Sequence, residues 1–390
     1  MKRRFAAIAA AALSLSLLAG CGSSGSGTSG SSADTVKVGL NYELSGPVAT
    51  YGDASVKGIQ MAVEEINAAG GVNGKQIEIV KYDNKSEPAE ATTLATKLMT
   101  NDKVVSVIGP ATSGSFKATI PVANQNKVPV VSGSATADDL LVQNGVLQEF
   151  AFRTCFSDSY QGTAMANFAT QSLSAKTAVI LKDTSSDYAK GLADNFAKQF
   201  TANGGTIVAE EGYVAGETEF NPIVTRIKGQ SFDVMYVPGY YNEVGLIIKQ
   251  ARDQGIDQPI LGGDGFDSPG LLEKAGAAAL NQVYFTNHYS SLDQDPTVQD
   301  FIKAFKDKYG EEPNAFHALG YDTAYFVADA IKRASEPTGE AIQQAMASTT
   351  DFSGVTGTFS IDPETHEPVK SAVVIGLKDG VQVSAERSSR

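Results

Sequence analysis

Apolar and polar residues follow two periods along most of this chain. Short apolar runs bounded by turn residues indicate buried strands of a parallel sheet. Between them, apolar residues recur every three or four positions, which is typical of amphipathic helices. In the first half, the pattern predicts strands at 36–40, 76–82, 104–108 and 128–131, and helices at 53–69, 88–100 and 114–126.

The alternation starts again after an apolar run at 147–152. Helices are predicted at 161–173, 188–203, 222–228, 243–254 and 269–275, and strands at 177–181, 206–213, 233–237, 258–261 and 283–286. Further along the chain, the pattern predicts helices at 298–309, 315–334 and 339–348, and two hairpin-like strands at 356–360 and 371–377. Such short connections demand parallel strands and right-handed crossovers. We therefore expect an α/β fold with two doubly wound parallel-sheet lobes, between which the chain crosses several times.

Small hydroxyl residues follow two of the predicted strands directly. Thr112–Ser115 comes after the strand at 104–108, and Ser132–Thr136 comes after the strand at 128–131. Ligands of open α/β sheets bind beyond the carboxyl ends of the strands. Because both loops are uncharged and rich in N–H and hydroxyl donors, they predict half of a small-anion site, most simply for a carboxylate.

An acidic residue and two aromatic residues follow strands of the second unit. Asp264 comes after the strand at 258–261, while Tyr188 and Tyr240 follow two other strands whose carboxyl ends meet at the same sheet edge. A zwitterion that enters a dry cleft loses several kcal/mol of hydration at each charged end unless both ends are paired. Donors on one lobe and a carboxylate on the other therefore favour an α-amino acid as ligand.

Catalytic and metal-binding patterns are missing from the sequence. There is no Gly-x-Ser-x-Gly elbow, and His288, His317 and His366 lack metal-ligand spacing. The glycine-rich run at 262–265 does not have the spacing of a dinucleotide fingerprint. We expect no enzymatic activity, no cofactor and no metal.

The N-terminus has the pattern of a targeting segment. Lys2, Arg3 and Arg4 precede an apolar stretch at 5–19, which ends in small residues before Cys21. This looks like a bacterial lipobox, so we expect residues 1–20 to be a cleaved signal peptide, Cys21 to be lipidated, and the Gly/Ser-rich residues 21–33 to form a tether to the membrane. The alternative is an ordinary secretory signal with an incidental cysteine.

Charge and cysteine content narrow the possible partners. The formal net charge is −13, and loss of residues 1–20 would make it more negative. Such an acidic surface argues against nucleic acid, whose phosphates need Lys and Arg. Once Cys21 is lipidated, Cys155 is the one cysteine left, so no disulfide can form within the mature chain.

A set of short motifs between residues 36 and 378 indicates a family. They are Ser45-Gly46-Pro47 with Tyr51-Gly52, Ile66-Asn67-Ala68-Ala69-Gly70-Gly71-Val72, Ile108-Gly109-Pro110, Ser134-Ala135-Thr136, Asp187-Tyr188-Ala189-Lys190-Gly191, Gly239-Tyr240-Tyr241-Asn242-Glu243 and Gly263-Asp264-Gly265. With these motifs the chain resembles the branched-chain amino-acid (leucine/isoleucine/valine) binding proteins of bacterial ABC transporters. The resemblance implies the type I periplasmic-binding fold.

The resemblance also assigns roles to individual residues. It implies that Ser113, Ser134 and Thr136 bind the ligand carboxylate and help to hold the ammonium, Ser134 through its carbonyl and Thr136 through its hydroxyl and amide. Asp264 would pair with the ammonium. The pocket wall would comprise Tyr51, Tyr188, Tyr240, Gly265 and Phe316. A three-crossover hinge would join lobe one, at 34–157 plus 288–369, to lobe two, at 158–287 plus 370–390.

Two departures from the family pattern bear on the ligand. Some members have a disulfide between the positions of Ser86 and Thr112, which this chain cannot form. Some carry Glu at the position of Asp264, whose carboxylate is shorter by one methylene. The ammonium must then lie closer to the loop, or a water must bridge the gap.

We therefore expect a monomeric, extracytoplasmic, lipid-anchored solute-binding protein. It would deliver an aliphatic, branched-chain amino acid to an ABC permease. The alternatives are a receptor of the same fold for another small carboxylate or amide, and a sensory ligand-binding subunit that acts through a separate membrane protein.

Overall fold

The computed structural model describes residues 35–388. The predicted signal peptide, the predicted tether and the predicted lipidation site at Cys21 lie outside these residues. No helix within 35–388 is long and apolar enough to cross a membrane. The core strands are buried on both faces, as parallel strands between layers of helices should be.

Five parallel strands from the first part of the chain form one sheet. Its order is β2-β1-β3-β4-β7. Because the order reverses between β1 and β3, a crevice opens at their carboxyl ends. The elements here are β1 (Thr35–Tyr42), α1 (Ala49–Ala68), β2 (Gln76–Asp83), α2 (Pro88–Thr100), β3 (Ser106–Ile108), α3 (Ser113–Asn126), β4 (Val130–Ser132), the small ladder β5 (Val142–Gln143) with β6 (Val146–Leu147), and β7 (Ala151–Arg153).

A seven-stranded sheet has the order β16-β15-β12-β11-β10-β8-β9. Strands β8 to β12 are parallel, and the order reverses between β8 and β10. The elements that build it are α4 (Asp158–Gln171), β8 (Thr177–Asp183), α5 (Asp187–Ala202), β9 (Thr206–Tyr213), α6 (Asn221–Lys228), β10 (Val234–Tyr236), α7 (Tyr241–Asp253), β11 (Ile260–Gly262), α8 (Pro269–Ala275) and β12 (Val283–Asn287).

The remaining elements include the strands that complete this sheet. They are α9 (Pro296–Tyr309), α10 (Ala315–Arg333), α11 (Gly339–Ala347), β13 (Phe352–Gly354), β14 (Gly357–Phe359), β15 (Val373–Lys378) and β16 (Val381–Arg387). The α/β fold with parallel sheets is thus confirmed, while the lobe boundaries stay a prediction.

The two hairpin-like strands predicted at 356–360 and 371–377 do not pair with each other, because each forms an antiparallel hairpin with a different strand. β14 pairs with β13, whereas β15 pairs antiparallel with both β12 and β16. The strand β16 was not predicted, because most of its residues are exposed and give no apolar face. Pairing partners so far apart in the chain leave no local signal.

Helix α1 begins at Ala49, four residues before the predicted start at Asp53. Its first turn packs against the loop after β1: a Cβ atom at Gly52 would lie 2.0 Å from the carbonyl oxygen of Glu43. This close approach needs glycine, and it places Tyr51 on the first turn of the helix, next to the crevice.

Helices α1 and α10 also touch through glycine. A Cβ atom at Gly320 would lie 2.2 Å from the carbonyl oxygen of Ser55, and one at Gly58 would lie 2.0 Å from that of His317. The two backbones are therefore in direct contact. This contact holds Phe316, at the start of α10, near Tyr51.

We expect Gly320→Ala to lower the free energy of unfolding by about 1–3 kcal/mol, because the new methyl group must push the two helices apart. Urea unfolding of the ligand-free protein measures the change. Gly114→Ala in α3 is the matched control, since its Cβ atom would meet nothing within 4 Å. Equal stability of the two variants would contradict the close packing.

Candidate functional site

The two hydroxyl loops meet at the carboxyl ends of β3 and β4. Ser113 is the first residue of α3, and Ser134 and Thr136 follow β4; all three are buried. The Ser113 Oγ atom accepts a hydrogen bond from the Ala137 N–H at 3.2 Å, and the Ser134 hydroxyl donates to the Ala111 carbonyl at 2.9 Å. These side chains thus fasten the loops together. The first N–H groups of α3 have no acceptor within the helix and favour an anion.

Glu43, which sequence reasoning missed, occupies other donors in the same crevice. Its buried carboxylate accepts hydrogen bonds from the N–H groups of Ala111 and Thr112, at 3.0 and 3.1 Å, and from the Thr112 hydroxyl at 2.7 Å. Burial raises the pKa of Glu43, and these hydrogen bonds oppose the shift. The donors left for a ligand anion therefore begin at Ser113.

Asp264 lies in a short turn after β11 and is 4% exposed. Its Oδ1 atom accepts hydrogen bonds from the Tyr188 hydroxyl at 2.8 Å and from Gln161 Nε2 at 3.2 Å. Its Oδ2 atom lies 3.1 Å from His288 Nε2. Burial raises the pKa of Tyr188 well above its ordinary value, so the hydroxyl keeps the proton that it donates.

A second buried carboxylate, that of Asp158, belongs to the same network. Gln161 Nε2 lies 2.9 Å from Asp158 Oδ1 and 3.3 Å from Thr136 Oγ1, so one amide links both aspartates to the hydroxyl loop. Asp158 Oδ2 is buried and has no hydrogen-bond partner within residues 35–388. Burial raises the pKa of Asp158 well above its usual range, and the carboxylates of Asp138 and Asp264 add to the shift.

Sequence reasoning also missed Asp158 and Gln161, because they carry the ordinary pattern of a helix start. Ser157 caps α4, and an acidic residue in the first turn is favoured in any helix. The useful signal was their position shortly after β7, which pairs in parallel with β4 and therefore ends at the same edge of the first sheet as the second hydroxyl loop.

Aromatic rings close the other side of the site. Tyr51 stacks on Phe316 at 4.3 Å between ring centroids, Tyr240 stacks on Tyr188 at 4.9 Å, and Tyr51 meets Tyr240 edge-on at 5.8 Å. The Tyr51 hydroxyl donates to the Gly265 carbonyl at 2.5 Å. It therefore joins α1 to the turn that carries Asp264.

Gly265 is important because it lets neighbouring groups approach the backbone closely, and it adds little surface to the wall of the pocket. A Cβ atom there would lie 2.8 Å from the Gly239 carbonyl oxygen and 3.0 Å from the Tyr188 hydroxyl. Its N–H also donates to that hydroxyl, at 3.0 Å. Within residues 35–388, ring contacts and hydrogen bonds thus join the predicted aromatic residues to the Asp264 turn, and Gln161 joins that turn to Thr136 in the hydroxyl loop. The roles of these residues toward a ligand stay a prediction.

Comparison with known proteins agrees with this geometry. A family model described as periplasmic binding protein matches residues 35–382. The leucine-, isoleucine-, valine-, threonine- and alanine-binding protein of Pseudomonas aeruginosa is 31% identical over 331 residues, covering 85% of this chain and 87% of the relative.

Two solved structures share the fold over almost their whole length. The branched-chain amino acid transporter substrate-binding protein LivJ from Streptococcus pneumoniae, in complex with isoleucine, is 45% identical with a TM-score of 0.86, covering 90% of this chain and 99% of that one. A solute-binding protein from R. palustris in complex with benzoate is 26% identical with a TM-score of 0.81, covering 91% and 96%.

The match spans far more than half of the chain, and the two sheets agree with it. The resemblance that the motifs indicated is therefore confirmed. This chain belongs to the periplasmic binding protein family, among the relatives of its leucine/isoleucine/valine-binding members.

Proposed function

We propose that this protein is an ABC-transporter solute-binding protein that captures an aliphatic, branched-chain amino acid in the cleft between its two sheets. The observation that carries the proposal is the Gln161 amide, which joins the hydroxyl loop at Thr136 to the carboxylates of Asp158 and Asp264. A single side chain thus links the loop that can donate hydrogen bonds to an anion with the carboxylates that can accept hydrogen bonds from a cation. The two charged ends of an α-amino acid require both kinds of group close together.

The acceptors for an ammonium can be assigned atom by atom. Asp264 uses three acceptor positions on Tyr188, Gln161 and His288. Since a carboxylate has about four such positions, one remains for the ligand. Asp158 shares the Gln161 amide with Asp264 and so supports the Asp264 carboxylate from α4.

The aromatic wall favours an apolar side chain on the ligand. The rings of Tyr51, Tyr188 and Phe316 are almost fully buried, so their faces form a dry surface. An aliphatic group that packs there gains roughly 25 cal/mol for each Å² of apolar surface removed from water. A charged side chain would lose its hydration without a partner.

Isothermal titration calorimetry against leucine, isoleucine, valine, alanine and phenylalanine tests the proposal. We expect the three branched-chain amino acids to bind in the micromolar range or tighter, since a few charge-assisted hydrogen bonds supply about 8 kcal/mol after closure. If none of these amino acids gave a heat of binding, the proposed function would be rejected. Recovery of unchanged ligand after incubation would support a binding protein over an enzyme.

Asp264→Ala should weaken leucine binding by about a hundredfold or more, because a buried ammonium would lose a paired carboxylate. The same titration measures the loss. Asp253→Ala is the control, since that acid is exposed on α7 and pairs with Lys249. Near-wild-type affinity of Asp264→Ala would remove Asp264 from the site, and an equal loss in both variants would point to net charge.

A second candidate ligand is a small carboxylate without an ammonium, which the benzoate-bound neighbour favours. The buried acids Asp158 and Asp264 oppose it, because they would face an anion with no cation between them. Benzoate in the same titration separates the two candidates: tight benzoate binding together with no amino-acid binding would select the second.

We further propose that Cys21 carries a lipid that anchors the protein at the outer face of the membrane, as a monomer beside its ABC permease. The basic n-region, the short apolar stretch and the small residues before Cys21 support this anchor. A pull-down of the membrane partner would separate a permease from a signalling protein.

Cys21→Ala should release the protein from the membrane fraction, because no acyl chain can then be attached. Detergent phase partitioning of expressing cells measures the shift. Cys155→Ala is the matched control: Cys155 is fully buried in the fold and should not affect anchoring. A Cys21→Ala protein that stays in the detergent phase would contradict the lipid anchor.

A further inference from the structure

His288 lies between the Asp264 carboxylate and two of the predicted chain crossings. It follows β12 directly, and its side chain is fully buried. Its ring stacks on Phe156, with 3.6 Å between centroids and 15° between planes. Phe156 and His288 each lie within two residues of a predicted lobe boundary.

The His288 ring is a hydrogen-bond donor to Asp264. Because a carboxylate oxygen accepts, the Nε2 atom carries the proton across the 3.1 Å contact. Burial lowers the pKa of His288, the Asp264 carboxylate opposes this shift, and Lys370 and Arg153 add to it. The neutral ring therefore acts through a directed hydrogen bond, without a charge of its own.

The contact between His288 and Asp264 determines the direction in which the remaining acceptor of the Asp264 carboxylate points. Tyr188 and Gln161 both hold Oδ1, whereas His288 is the partner of Oδ2 among the described residues. Without His288, the carboxylate could rotate about its Cβ–Cγ bond and turn its remaining acceptor away from the cleft. A short aspartate side chain has little reach to correct such a rotation.

We propose that His288 is a positioning residue, which holds the Asp264 carboxylate so that its remaining acceptor faces the ligand ammonium. The inference rests on the proposed amino-acid site and adds a residue to it. Since His288 also stacks on Phe156, it links the orientation of Asp264 to the place where the lobes are predicted to join.

Two substitutions separate the hydrogen bond from the packing. His288→Phe keeps a stacked ring and removes the donor, while His288→Gln returns an N–H near the position of Nε2. We expect His288→Phe to weaken leucine binding about tenfold or more, and His288→Gln to recover most of the loss. Unchanged affinity of His288→Phe, or no recovery by His288→Gln, would overturn the proposal.

A double-mutant cycle tests whether His288 acts through Asp264. In an Asp264→Asn background, which retains a weak acceptor, His288→Phe should change leucine affinity less than twofold. An equal loss in both backgrounds would mean a general structural effect and would overturn the positioning role.

His366 offers a matched control. It is also buried, stacks on a phenylalanine (Phe152, 4.1 Å) and hydrogen-bonds to a backbone carbonyl, that of Ala151 at 3.1 Å. His366→Phe should leave leucine affinity unchanged, and a loss equal to that of His288→Phe would overturn the proposal. Failure of the proposed function itself is distinct, because the wild-type protein would then bind no amino acid.

Discussion

The carboxylate of Asp264 is the group around which the acidic side of the cleft is built. An ionised group taken out of water costs several kcal/mol unless hydrogen bonds or an opposite charge replace its hydration. Tyr188 from α5, Gln161 from α4 and His288 after β12 converge on it. They supply hydrogen bonds but no positive charge. The side of the cleft that contains Asp264 and Asp158 therefore remains complementary to a cation.

On the opposite side of the cleft, the carboxylates of Glu43 and Glu367 are bound by groups of the protein itself. Glu43 occupies the donors of Ala111 and Thr112, so a ligand anion meets the start of α3 instead. The fully buried Arg153 donates to the carbonyls of Ala135 and Ala137, at 3.3 and 2.9 Å, and pairs with Glu367. Removing either partner of such a pair would leave a charge uncompensated. This pair thus fixes the hydroxyl loop in place.

Close backbone contacts fix the positions of these side chains relative to one another. Gly52, Gly58 and Gly320 let α1 approach the loop after β1 and helix α10 without intervening side chains. Tyr51 and Phe316 then stack at the mouth of the site, and the Tyr51 hydroxyl reaches the Gly265 carbonyl. The N-terminus of α10 is also tied to the Asp264 turn, because the Ala315 N–H donates to Asp267 at 2.8 Å. Packing and polar contacts together hold α1, α10 and the Asp264 turn against one another.

The sequence alone determined the elements with strong periods and clear end signals. Helix α2, strand β9 and helix α8 have the predicted bounds, since a proline marks the start of each helix and two glycines directly precede the strand. Because ligands of open α/β sheets bind beyond the carboxyl ends of the strands, the sequence was also enough to place Ser113 and Ser134 on neighbouring loops. The same reasoning placed Asp264 at one sheet edge with Tyr188 and Tyr240. Such groupings follow from strand direction alone.

How those groups meet depends on contacts between distant parts of the chain. The pairing of β15 with β12 joins segments far apart in the chain, and no local pattern encodes it. Likewise, Glu43, Asp158, Gln161 and His288 are ordinary loop or helix-start residues in the sequence. They become part of the site because burial removes water from them and leaves other protein groups as their hydrogen-bond partners. That exchange of partners is a long-range property, so it appears only once the chain is folded.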